Sequence, residues 1–105
     1  MTVELDHLFV CVSAGGPEAE RLAELGLTEG PPNRHSGQGT ACRRFFFING
    51  FLEFVWVENA EEAQGPSARR VGLWERWSGR DSGASPFGVC LRPGPEGDAG
   101  PPFPA

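Results

Sequence analysis

The chain has 105 residues, room for one small domain with a modest core, and fifteen glycines and ten prolines narrow the foldable part further. The formal net charge is −5, and the nine basic residues, all arginine, form no run longer than the pairs Arg43-Arg44 and Arg69-Arg70; this argues against a nucleic-acid binder. No apolar stretch reaches the length of a membrane span, so no membrane partner is expected. The N-terminus lacks the charged-then-apolar pattern of a signal peptide. Cys11, Cys42 and Cys90 are odd in number and widely spaced, and no CxxC element occurs. They read as reduced, buried thiols of a cytoplasmic protein, with thiolate zinc sites not expected.

Residues 5–12 (LDHLFVCV) read as a buried strand, with Leu8, Val10 and Val12 on one face and Leu5, His7, Phe9 and Cys11 on the other. Residues 17–25 (PEAERLAEL) read as a helix: Pro17 suits its first turn, and Ala19, Leu22 and Ala23 form its apolar stripe. Gly26 is placed to end it, with Leu27 closing back onto Leu22 in a Schellman arrangement. Residues 28–41 are turn-rich, with a short edge strand expected at 33–36 and a flexible loop through Gly37 and Gly39.

The most ordered stretch is residues 42–57, CRRFFFINGFLEFVWV. Two apolar runs flank Asn49-Gly50, which favours a type I′ turn, so a hairpin is expected with Ile48 facing Phe51, Phe46 facing Glu53 and Arg43 facing Trp56. One face then carries Arg43, Phe45, Phe47, Leu52, Phe54 and Trp56. The other carries Cys42, Arg44, Phe46, Phe51, Val55 and a single acid, Glu53. The helix is expected to cover the first face. A carboxylate among aromatic neighbours must be paired, protonated, metal-bound or close to solvent, and a salt bridge to diagonal Arg44 is the plainest reading.

Further on, Asn59 opens a short helical turn in the manner of a capping box, Gly65-Pro66 stops it, and Ser67 is placed to cap a helix over 68–78. Arg70, Leu73, Trp74 and Trp77 line one side of that helix, and 87–91 (FGVCL) read as another strand. Residues 93–105 hold five prolines and read as a disordered tail, which leaves 1–92 as the domain.

With Leu5-Asp-His7 opening a strand, a helix ending in Leu25-Gly26-Leu27, and Leu52-Glu53-Phe54 in the last strand of a hairpin, the chain resembles the vicinal oxygen chelate superfamily of glyoxalase I, bleomycin-resistance proteins and extradiol dioxygenases. The stretches LWERWSGR (73–80) and SPFGVCLR (85–92) resemble a glyoxalase-like subgroup. The resemblance implies an α+β fold: a single βαβββ module with a cupped mixed sheet, followed by a helix and a further strand, and paired with a second module across a homodimer. It implies that His7 and Glu53 are metal ligands for Zn, Ni, Mn or Fe, with Glu53 also the proton acceptor. A complete ligand set would then need a partner subunit or further sequence. Arg44, Phe46, His35 and Trp74 are the candidate contacts to a small-molecule substrate. Each has a simpler reading: Arg44 as a partner of Glu53, His35 as a surface loop residue, Trp74 as core, and Arg43 stacked on Trp56.

Three functions stay open. One is a metal-dependent enzyme of the glyoxalase, lyase or dioxygenase type acting on a small oxygenated substrate. A second is a metal-free binding or resistance-type protein, expected to show Glu53 bonded to Arg44. A third is a degenerate module serving only as an assembly partner.

Overall fold

The computed structural model describes residues 2–94, so most of the expected tail lies outside the described residues. Alternating side chains and branched or aromatic residues build five strands: β1 (Val3–Cys11), β2 (Asn33–His35), β3 (Thr40–Phe47), β4 (Gly50–Val57) and β5 (Phe87–Pro93). They form one open mixed sheet in the order β2-β3-β4-β1-β5. β1 runs parallel to β4, with His7 beside Phe51 and Phe9 beside Glu53. On its other edge β1 runs antiparallel to β5, with Cys90 beside His7 and an irregularity between Leu5 and His7. The architecture is α+β, as the resemblance implies.

The hairpin register differs from the expected one by two residues. Arg43 pairs with Phe54, Arg44 with Glu53, Phe46 with Phe51, and Phe47 with Gly50. Ile48 and Asn49 make the turn. Gly50 does not take the positive φ that the second central position of a type I′ turn requires. Its lack of a side chain is used elsewhere: a Cβ there would come within 2.9 Å of the Asp6 carbonyl, so Gly50 lets β1 approach the start of β4. A two-residue shift preserves side-chain alternation, and both expected faces of the hairpin survive it.

Helix α1 (Ala19–Glu24) ends as its sequence suggests. Gly26, at φ +98°, donates to the Ala23 carbonyl, and Leu27 donates to that of Leu22. The segment entering α1 lies on the Arg43 side: a Cβ on Gly16 would meet the Trp56 ring, and Arg43 pairs with Glu20 at 2.9 Å. Phe45 and Ala19 are fully buried, and the Phe45 ring meets Phe54 edge-on. Arg43 therefore does not stack on an opposed Trp56 as expected. Its Nε and Nη2 grip the two oxygens of Glu29 at 2.8 and 2.6 Å, and its Nη1 donates to the Gly16 carbonyl.

Helix α2 (Ala60–Ala63) is capped by Asn59, whose Oδ1 accepts from the Glu62 N–H at 3.0 Å. The single helix expected over 68–78 is two. Helix α3 (Pro66–Arg69) has Gly65 as its N-cap and Pro66 in its first turn, in place of a Ser67 cap. Gly72, at φ +73°, breaks the run before helix α4 (Leu73–Ser78). α4 crosses to the Glu53 side. There Leu73 and Trp77 pack on the buried cluster Cys11, Cys42 and Val55, and the Trp77 indole donates to the Val12 carbonyl at 2.7 Å. Among the described residues, no helix is long and apolar enough to cross a membrane.

Candidate metal centre

Three neighbouring strands and an edge strand place their alternate side chains on one side of the sheet. β1 contributes His7, β4 contributes Phe51 and Glu53, β3 contributes Thr40, Cys42 and Arg44, and β2 contributes His35. At their centre Glu53 is only 9% exposed. Its Oε1 lies 3.5 Å from His7 Nε2, and its Oε2 lies 3.4 Å from His35 Nε2. Cys42 Sγ lies 3.9 Å from the same His35 nitrogen. His35, Cys42 and Glu53 each offer a donor atom, and these three atoms all fall within 4.8 Å of one another. His7 approaches the remaining oxygen of Glu53.

The outer nitrogen of each imidazole is held tightly. His7 Nδ1 lies 2.7 Å from Asp6 Oδ2, and Asp6 in turn accepts from Arg92 at 3.3 Å. His35 Nδ1 lies 2.8 Å from Thr40 Oγ1. His7 also stacks on Phe51, with ring centroids 4.3 Å apart and planes within 7°. A carboxylate on Nδ1 favours the tautomer with its proton there, which turns an Nε2 lone pair toward Glu53. Thr40 can fix His35 in the same sense.

Burial by itself would push the pKa of Glu53 up. When His35 and His7 are protonated, the hydrogen bonds from His35 and the Cys42 thiol and the two imidazolium charges outweigh it and hold the carboxyl below its usual range. Burial, together with the hydrogen bond to Glu53 and the charge of that residue, pushes the Cys42 thiol up to about 12. Cys42 is thus a protonated thiol in the absence of a cation. It is a core residue, as the sequence suggests, and also a member of the cluster.

The donor set fits a divalent ion. Nitrogen, oxygen and sulfur bonds of about 2.0–2.3 Å at tetrahedral angles put neighbouring donors about 3.3–3.6 Å apart. For His35, Cys42 and Glu53, the distances of 3.4 Å from His35 to Glu53 and 3.9 Å from Cys42 to His35 lie near that spacing, whereas His7 approaches the other Glu53 oxygen at 3.5 Å. They are longer than the about 2.7–2.9 Å of a charge-assisted hydrogen bond. The bonds on the far side of each ring, at 2.7 and 2.8 Å, are not stretched in this way.

The remaining sequence candidates fall in different places. Arg44 stands directly opposite Glu53, not diagonal to it, and among the described residues no ion pair joins the two. Its Nη2 donates to the Pro31 carbonyl at 3.1 Å, and its guanidinium lies over the half-exposed Phe46 ring. Phe46 tilts against Phe51 with centroids 5.2 Å apart, which extends an aromatic wall along the same side. Trp74 lies beside Trp77 on α4, and among the described residues no hydrogen bond or ring contact joins it to the donors. His35 lies in β2, within the edge strand expected over 33–36, and faces Glu53 instead of serving as a surface loop residue; it borders a cleft of about 260 Å³ shared with Arg34, Thr40, Glu58 and Glu62.

The sequence model of a glyoxalase-like domain family matches residues 5–95. No curated protein matches the chain. Among solved structures, a hypothetical protein from Bacillus halodurans C-125 is similar at 16% identity, with a TM-score of 0.48 over 70% of this chain. The match spans 51% of that protein's length.

Proposed function

The chain belongs to the glyoxalase-like domain family, and we propose that His7, His35, Cys42 and Glu53 form a divalent-metal centre serving an enzyme that acts on a small oxygenated substrate. The observation that carries this reading is the arrangement of the two imidazoles. Their outer nitrogens are locked at 2.7 and 2.8 Å, while their inner nitrogens converge on the two oxygens of one buried carboxylate at 3.5 and 3.4 Å. With their Nε2 lone pairs facing the carboxylate, the imidazoles and Glu53 repel unless a cation lies among them; with protons on Nε2 the imidazoles themselves supply the positive charge.

In this reading His7 and His35 bind through Nε2, Glu53 through a carboxylate oxygen, and Cys42 through sulfur. A divalent ion held there supplies Lewis-acid polarisation of a substrate oxygen. Zn, Ni and Fe suit the nitrogen and sulfur donors, and Mn suits the carboxylate more than the thiol. Asp6 and Thr40 fix the tautomers. Glu53 has an oxygen to spare when only one of the two binds metal, and that oxygen accepts a proton from substrate. Phe46 and Phe51 make an apolar wall that excludes water beside it. All four donors come from one chain, so the centre asks no donor of a second subunit, and a homodimer is not required for it.

Zinc titration of the wild-type protein, followed by calorimetry and thermal unfolding, tests the reading. One equivalent bound per chain is expected, with a rise in Tm, because a ligand bound only by the folded state stabilises it. Glu53→Gln is expected to lose uptake. A protein that takes up none of Zn, Ni, Mn or Fe would instead be a metal-free binder of the same fold, its imidazoles carrying the protons that neutralise Glu53.

A further inference from the structure

We propose that Arg44 holds the carboxylate of an anionic substrate, so that the centre takes oxygenated acids, such as 2-oxo or 2-hydroxy acids, in preference to their uncharged counterparts. The proposal rests on the metal-centre reading and adds the class of substrate.

The argument comes from how arginines are used across this sheet. Arg34 presents its Nε and Nη2 edge to the two oxygens of Glu58 at 2.6 and 3.1 Å. Arg43 presents the same edge to the two oxygens of Glu29. This edge matches a carboxylate in a bidentate fork. On Arg44 the edge holds no carboxylate. Among the described residues, its Nη2 reaches only the Pro31 carbonyl, and its buried Nε has no partner. A buried donor left unpaired costs about 1–3 kcal/mol, so the empty edge is a standing defect of the ligand-free protein. A carboxylate that displaces the Pro31 contact would satisfy Nε and Nη2 together.

The position of Arg44 says where such a carboxylate would lie. The residue is the direct cross-strand partner of Glu53 and points to the same side of the sheet. Directly opposed residues have Cβ atoms about 4.5–5.5 Å apart. A molecule with a carboxylate on Arg44 therefore needs only a short spacer to direct another oxygen at the cluster. Its remainder would meet the aromatic wall of Phe46 and Phe51, whose rings lie 5.2 Å apart. The charges agree. Glu53 by itself would repel an acid, whereas a divalent ion together with the Arg44 guanidinium leaves the site cationic.

Two probes of nearly equal shape isolate the charge: phenylglyoxylate, an acid, and 1-phenyl-1,2-propanedione, its uncharged methyl ketone analogue. Their affinities are measured by calorimetry on the full chain, both zinc-loaded and metal-free, for the wild type and for Arg44→Met. The acid is expected to bind the zinc-loaded wild type at least tenfold more tightly than the ketone. Arg44→Met is expected to abolish that preference and leave zinc affinity within about twofold, with circular dichroism reporting that the variant is folded. Equal affinity for the two probes, binding of neither, or a preference that survives in Arg44→Met would each overturn the proposal. Zinc uptake is read separately. If it is absent, the metal-centre reading fails, and the acid preference of the metal-free protein and its loss in Arg44→Met still decide the role of Arg44.

Discussion

The two sides of the central hairpin handle charge in opposite ways. On the side of Phe45 and Trp56, Arg43 meets Glu29, Glu20 and the Gly16 carbonyl, and its neighbours are a fully buried Phe45 and Ala19. Charge there is matched within the chain, and the matching ties the α1 segment to the sheet. On the other side, one residue further along the same strand, Arg44 has an empty Nε, and Glu53 sits between imidazoles that approach it without closing to short hydrogen bonds. The first arrangement suits stability. The second leaves groups under-satisfied around a shared point, which is what a ligand-binding side requires.

That contrast breaks most visibly at Phe45. Phe45→Ala should cost about 4 kcal/mol, since it empties a fully enclosed aromatic site. Urea denaturation measures the loss, and the folded fraction should still take up zinc. Next, Arg43→Met should cost about 2 kcal/mol, because it removes a fork to Glu29 and leaves two acids without their partner. Zinc affinity should again be unchanged. Arg44→Met sharpens the comparison from the other side. Its stability should differ from wild type by no more than about 0.5 kcal/mol, because the change gives up one backbone hydrogen bond and removes a buried donor that had no partner. Equal costs for the two arginines would erase the distinction between the sides.

The smallest expected effect is on pH dependence. The hydrogen bond from Arg43, with its charge, holds the Glu29 carboxyl below its usual range despite partial burial. A carboxyl with a lowered folded value contributes stability that is complete above the unfolded value of about 4.3. That contribution is lost as pH falls through the lowered folded value. Arg43→Met should therefore show a shallower decline in urea midpoint than wild type as pH drops below about 5.

Much of this was legible in the sequence because strand side chains alternate. The faces of residues 42–57 and of β1 follow from period two alone, and the convergence of His7 and Glu53 follows from them. The register was not legible. Asn49-Gly50 carries a strong turn signal, but the fold uses Gly50 for a close approach to the Asp6 carbonyl, a contact between residues far apart in the chain. The break at Gly72 was missed because a helical pattern of Arg70, Leu73, Trp74 and Trp77 continues across it. His35 was underrated for a related reason. The short edge strand itself was expected at 33–36, but nothing local shows which strand it joins, and only its pairing with β3 carries His35 to Glu53. A finer look at 33–36 held the clue: on a short edge strand His35 shares a face with whichever residue opposes it, and Thr40 belongs to the face of Cys42 and Glu53.

The most direct measurement is anomalous diffraction at the zinc edge from crystals of the full chain soaked in Zn²⁺. One anomalous peak per chain is expected among His7 Nε2, His35 Nε2, Cys42 Sγ and a Glu53 oxygen, at about 2.0–2.3 Å from each donor that binds. Crystals with no peak there, and Glu53 hydrogen-bonded directly to two protonated histidines, would contradict the account.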